Sequence, residues 1–165
     1  MHRNIWPLAA LLLGLGGAAV ADEGARPLAF ADFFVQPIGP RGLQPTPRLL
    51  AAVGQPVQLT GFIVKREQPL PGHFLLAPRP VSMAEHADGE ADDLPAQTVT
   101  VLLPASQRDR IVAAEPGPVT LSGRLAWGPA EDETGRVSWL RLQLDEGALA
   151  AAPGTPATPA NRHSH

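Results

Sequence analysis

With 165 residues, a formal net charge of −3 and 44% apolar residues, the chain has room for one modest domain plus appendages. Lys65 is the sole lysine, and the sequence has no run of clustered Lys and Arg of the kind that nucleic acid binding needs, so nucleic acid is not expected as a partner. There is no cysteine, so disulfides, thiolate metal sites and cysteine nucleophiles are excluded as well, while 19 prolines and 16 glycines point to many turns and few long helices.

In chain order, residues 1–21 have the pattern of a secretory signal. His2 and Arg3 precede an uncharged apolar run from Leu8 to Val20, and Ala19-Val20-Ala21 fits a small-x-small cleavage site. The run is shorter than the roughly 20 residues a spanning helix needs, so cleavage before Asp22 is favoured over a retained anchor. The mature chain is expected to be periplasmic or secreted. Residues 22–47 form a proline-rich leader whose one apolar patch runs from Phe30 to Val35, expected to pack on the domain that follows.

Residues 48–146 carry the domain. Arg48 to Val53 offers a helical turn, and five strand candidates follow at 57–64, 73–77, 97–103, 119–127 and 137–144. In the first, Val57-Gln58-Leu59-Thr60-Gly61-Phe62 alternates apolar and polar residues and then places a glycine in mid-run. The fourth repeats the device as Val119-Thr120-Leu121-Ser122-Gly123-Arg124. A glycine inside a strand marks a bend, a bulge or a close backbone approach. Residues 105–115 are the predicted helix, with Ser106 as its cap and Pro116-Gly117-Pro118 as its stop. The order β-β-β-α-β-β with two kinked staves predicts an all-β fold with one short helix, a small five-stranded OB-like antiparallel barrel. An open sandwich is the competing architecture. Residues 147–165, rich in Ala, Pro, Gly and Thr, predict a disordered tail.

The run from Gly54 to Val64, followed by Phe74-Leu75-Leu76-Ala77-Pro78, resembles an exported bacterial family of unknown function with a G-x-x-V-x-L-x-G-[FY]-x-V strand and an F-L-L-x-P strand. The resemblance spans roughly residues 28–103 and implies an association with envelope transport systems, often for metals. That family commonly continues into a Cys-x-His segment. Here the continuation is Arg79-Pro80-Val81-Ser82-Met83-Ala84-Glu85-His86, so no metal or redox role attached to that segment carries over.

Candidate ligands are densest between strands two and three, where His86, Asp88, Glu90 and Asp92 could hold a divalent cation. A calcium loop does not fit, because Gly89 falls at its second position and Val99 at its twelfth. A solvated acidic loop is the simpler reading. Glu131, Asp132 and Glu133 add carboxylates in the fourth turn, and His163 and His165 end the chain without a preorganised site. No nucleophile elbow, H-E-x-x-H helix or phosphate loop is present, so no catalytic residues are assigned. On the outer barrel face Arg124 and Arg141 stand with Trp139, and together with Phe62 they form the candidate partner-binding set. Trp139 has two readings: part of a recognition surface, or packed beneath Phe33 and Phe34 of the leader. The resulting expectation is a monomeric, exported, non-enzymatic binding or adaptor module that recognises an envelope protein or a small ligand without a cofactor. A periplasmic divalent-metal accessory is the alternative.

Overall fold

The computed structural model describes residues 24–83, 85–86, 89–90, 94–132 and 134–149. Residues 1–21, assigned above to an export signal, lie outside them. Among the described residues no helix is long and apolar enough to cross a membrane.

One α-helix, α1 (Pro47–Ala52), precedes five barrel strands: β1 (Pro56–Ile63), β2 (His73–Ala77), β3 (Val99–Leu102), β4 (Val119–Glu131) and β5 (Val137–Leu144). Around the sheet the strands follow the order β1-β2-β3-β5-β4, and β4 pairs back onto β1, closing the barrel. The fold is therefore a small all-β barrel with the connectivity of an OB barrel. The expectation of an antiparallel sheet needs one correction, because β3 and β5 run parallel, with Arg141, Leu142 and Gln143 opposite Thr100, Val101 and Leu102. Strands three and five are joined through a long crossover and the β4–β5 hairpin, and closure brings them together pointing the same way.

The two mid-strand glycines mark close backbone approaches in the barrel. β1 pairs with β4 from Pro56 to Gly61 and then with β2 at Phe62 and Ile63, so Gly61 is where it passes from one neighbour to the next. A Cβ at Gly61 would lie 2.7 Å from the Ala77 carbonyl oxygen and 2.8 Å from the Phe30 ring. At Gly123 a Cβ would run into the Gln143 carbonyl and sit 3.1 Å from the Leu144 Cα. Glycine is the only residue whose side chain leaves room for these crossings.

Alternation then fills the interior. Val57 and Leu59, Phe74 and Leu76, Val99 and Val101, Leu121 and Leu125, and Leu140, Leu142 and Leu144 all point into one buried cluster. The leader belongs to the same cluster through Leu28, Phe30, Phe33 and Phe34, and α1 adds Leu49. Leu149 is also buried there, so packed chain extends past Glu146, where the sequence pattern places the start of the tail. Residues 150–165 lie outside the described set.

The leader is held by specific bonds. Arg26–Pro27 pairs in parallel with Val57 and Gln58, and the Leu28 amide donates to the Gln58 carbonyl. Thr46 caps α1 by accepting from the Leu49 amide at 3.0 Å, and Pro47 opens the helix with its φ already set. The Thr46 hydroxyl also donates to the Asp32 carbonyl, tying the cap to the leader.

The helix predicted over 105–115 does not form. Ala105–Gln107 makes a single 3-10 turn, and the chain then pairs with the β1–β2 connection. The Gly72 amide donates to the Arg110 carbonyl, and Pro71 bridges to Ile111. A short helix has a costly nucleus and needs an apolar face to offset it. Only Val112 of the expected apolar pair packs on the core, while Ile111 is 56% exposed.

Candidate functional site

The outer face of β2 and β3 is set by what their inner face buries. Because Phe74, Leu76, Val99 and Val101 point inward, His73, Leu75, Thr100 and Leu102 point outward. Leu75 and Leu102 stand where simple alternation wants polar residues, and both are only half-buried. They floor a groove of about 320 Å³ whose far wall is the β4–β5 hairpin, with Glu131, Arg136, Ser138 and Arg141 facing in.

The hairpin is shaped by Asp132. Its Oδ1 accepts from the Thr134 hydroxyl at 2.6 Å, the Thr134 amide at 2.8 Å and the Arg136 amide at 3.1 Å, and Gly135 supplies the positive φ that the turn requires. The Thr134 hydroxyl bond, then its amide bond, holds the Asp132 carboxyl below the ordinary aspartate value of 3.8, with slight burial opposing. A lowered folded pKa means that the carboxylate's contribution is complete above the unfolded value and is lost as pH falls through the folded one. In an acid titration followed by NMR, the Thr134 and Arg136 amides are therefore expected to move together, with a common midpoint below 3.8. A midpoint above 3.8 would show that these bonds do not favour the ionised form.

A bulge separates Trp139 from Arg141. Ser138 pairs with Ala130 and Leu140 with Trp127, so Gly128 and Pro129 together oppose Trp139. The Arg141 Nη1 donates to the Gly128 and Ser138 carbonyls, each at 2.7 Å, and so fixes the bulge from the groove side. Its Nε and Nη2 make no hydrogen bond to any described residue, which leaves part of the fork for whatever occupies the groove.

Two smaller cavities continue the line. One of about 160 Å³ meets the groove at His73, and another of about 310 Å³ meets that one at Lys65 and ends at Phe62. The three cavities are separate but share single wall residues, His73 and then Lys65, in a series from the β4–β5 hairpin to the end of β1.

Of the four residues expected to bind a partner, this line joins Arg141 and Phe62 at its two ends. Arg124 is elsewhere: it is exposed and donates to the Gly54 carbonyl at 2.8 Å, tying the turn before β1. Trp139 is 54% exposed and lies outside the groove lining. Its ring packs on Trp127 at 5.7 Å, and Trp127, not Trp139, meets Phe34 of the leader at 5.6 Å. Phe33 and Phe30 continue this file of aromatic rings into the core. The reading that packs Trp139 beneath Phe33 and Phe34 is thus corrected: the leader's ring contact falls on Trp127, one ring further in. The residues that sequence reasoning overlooked are Leu75, Thr100, Leu102 and Lys65. The signal was present in Leu75 and Leu102, aliphatic on the wrong face of strands that already bury the other.

Asp88 and Asp92 of the expected metal set lie outside the described residues. His86 and Glu90 fall on the paired segments Glu85–His86 and Gly89–Glu90. Among the described residues no group of three or more His, Asp or Glu side chains comes together to hold a metal.

A closed five-stranded barrel with a groove on its β2–β3 face, flanked by the β1–β2 and β4–β5 connections, has the layout by which OB barrels hold ligands. In comparisons with protein-family models, curated proteins and solved structures, the chain matches none.

Proposed function

We propose that this protein is an exported, non-enzymatic binding or adaptor module of the bacterial cell envelope, holding an extended ligand or partner segment along the groove from Arg141 to Phe62. The observation that carries the reading is the groove itself: an apolar floor of Leu75 and Leu102 facing a half-buried Arg141 with unused donors. Recognition sites typically combine such an apolar seat with a few placed polar groups. Export is supported by the signal pattern of residues 1–21, and the non-enzymatic role by a sequence without a nucleophile–base motif.

Thr100→Trp tests the groove, because Thr100 lies on its floor side and faces out of the core. The bulky ring is expected to plug the groove and to reduce capture of material that co-purifies with the wild-type protein from its envelope by about tenfold or more, with the melting temperature little changed. Trp139→Ala is expected to leave capture intact. The opposite pattern, with loss in Trp139→Ala and none in Thr100→Trp, would move the site to the Trp139 side and sink the groove reading.

A further inference from the structure

Away from the groove, a cavity of about 200 Å³ opens where the leader meets α1 and the start of β1. Arg26 and Arg48 line it with Gln55, and Ala51, Ala52 and Pro56 supply apolar surface. No carboxylate is among its lining residues, in a chain whose net charge is −3. Two guanidinium charges on one cavity give it a positive local potential, which solvent screens because the Arg48 side chain is 63% exposed and Arg26 is exposed too.

The rest of the structure offsets only part of that charge. The Arg48 Nε pairs with the Asp32 Oδ2 at 3.2 Å, and that carboxylate also accepts from the Ala29 amide. The Nη groups of Arg48 and the whole Arg26 guanidinium have no hydrogen-bond or ion-pair partner among the described residues. Both side chains spring from fixed backbone: Arg26 is paired in register with Val57, and Arg48 lies on α1. A guanidinium offers a planar fork of donors that matches carboxylate and phosphate oxygens.

We propose that this cavity binds a small dianion, a phosphate monoester or a dicarboxylate, with its oxygens between Arg26 and Arg48 and its body against Ala52 and Pro56. The bound dianion bridges the leader strand to α1 and so stabilises the docked leader. The site shares no residue with the groove and stands independently of its function.

The test is thermal unfolding of the full chain in inorganic phosphate, in succinate and in sodium chloride at matched ionic strength, with an NMR titration of the Ala52 and Val57 amides. The melting temperature is expected to rise with phosphate, succinate or both beyond any effect of chloride. A response to phosphate alone assigns a phosphoryl ligand, and a response to succinate alone assigns a dicarboxylate. Arg26→Gln is expected to weaken binding about tenfold or more, and Arg26→Lys by less. Arg26 is the residue to vary, since changing Arg48 would also break its pair with Asp32. No response beyond that to chloride, or an undiminished response in Arg26→Gln, would overturn the proposal.

Discussion

Phe33→Ala is expected to cost about 4 kcal/mol of stability, the largest effect of any single truncation in the leader. Phe33 is 0% exposed. Its ring sits between Phe30, at 5.3 Å, and Phe34, at 6.4 Å, and its carbonyl accepts from the Thr46 amide. Removing the ring leaves a void between Phe30 and Phe34 that neither can fill without leaving its own contacts. Aromatic pairs of this geometry add to the area they bury. Urea denaturation with the wild type in parallel measures the loss, and a melting temperature lower by roughly 10 °C or more should accompany it. A cost below about 1 kcal/mol would show that the leader is an appendage and that the barrel is complete without it.

Gly123→Ala is expected to cost about 3 kcal/mol, by overcrowding instead of by a void. The added methyl would meet the Gln143 carbonyl and the Leu144 Cα, both backbone atoms of the paired strand. Neither can rotate away, so β4 and β5 would have to separate at the register Leu144–Gly123. Gly61→Ala meets a similar wall at the Ala77 carbonyl, but its second obstacle is the Phe30 ring, which can swing, so a smaller loss is expected there. Gly39→Ala is the control, because no heavy atom lies within 4 Å of its added carbon, and its effect should stay within about 0.5 kcal/mol. A loss at Gly123 no larger than at Gly39 would sink the close-approach account, because the effect of the added methyl on unfolded-chain entropy is stabilising at both.

Much of the barrel was legible because it rests on short-range pattern. Leu140, Leu142 and Leu144 alternate with Arg141 and Gln143, and the burial of β5 follows that alternation. The kinks at Gly61 and Gly123 were equally readable, since a glycine amid β-branched and aliphatic neighbours has few other uses in a strand. The predicted helix over 105–115 failed for a reason local pattern cannot hold: the backbone of Arg110 and Ile111 finds partners at Gly72 and Pro71, some forty positions earlier. The helix that does form begins Thr46-Pro47, a cap followed by a first-turn proline, a start signal read only as a turn.

The candidate site divides in the same way. Arg141 and Phe62 were visible as outward residues on strands. Trp139 was placed beside Arg141 by alternation; it stands at the bulge, opposed by Gly128 and Pro129, and outside the groove that Arg141 lines. A bulge depends on how two strands are paired, and one strand's sequence does not encode its partner's count.

By itself, the sequence determined the strands, their inward faces, the two glycine crossings and the all-β barrel class, because each depends on residues within a few positions of one another. Only the tertiary structure decided the parallel closure of β3 on β5, the leader's place in the core, the groove between the β4–β5 hairpin and the β2–β3 face, and the placing of Arg26 and Arg48 on one cavity. Each of those joins segments far apart along the chain, and what brings them together is the burial of apolar surface they share, a property of the assembled barrel and of no single stretch.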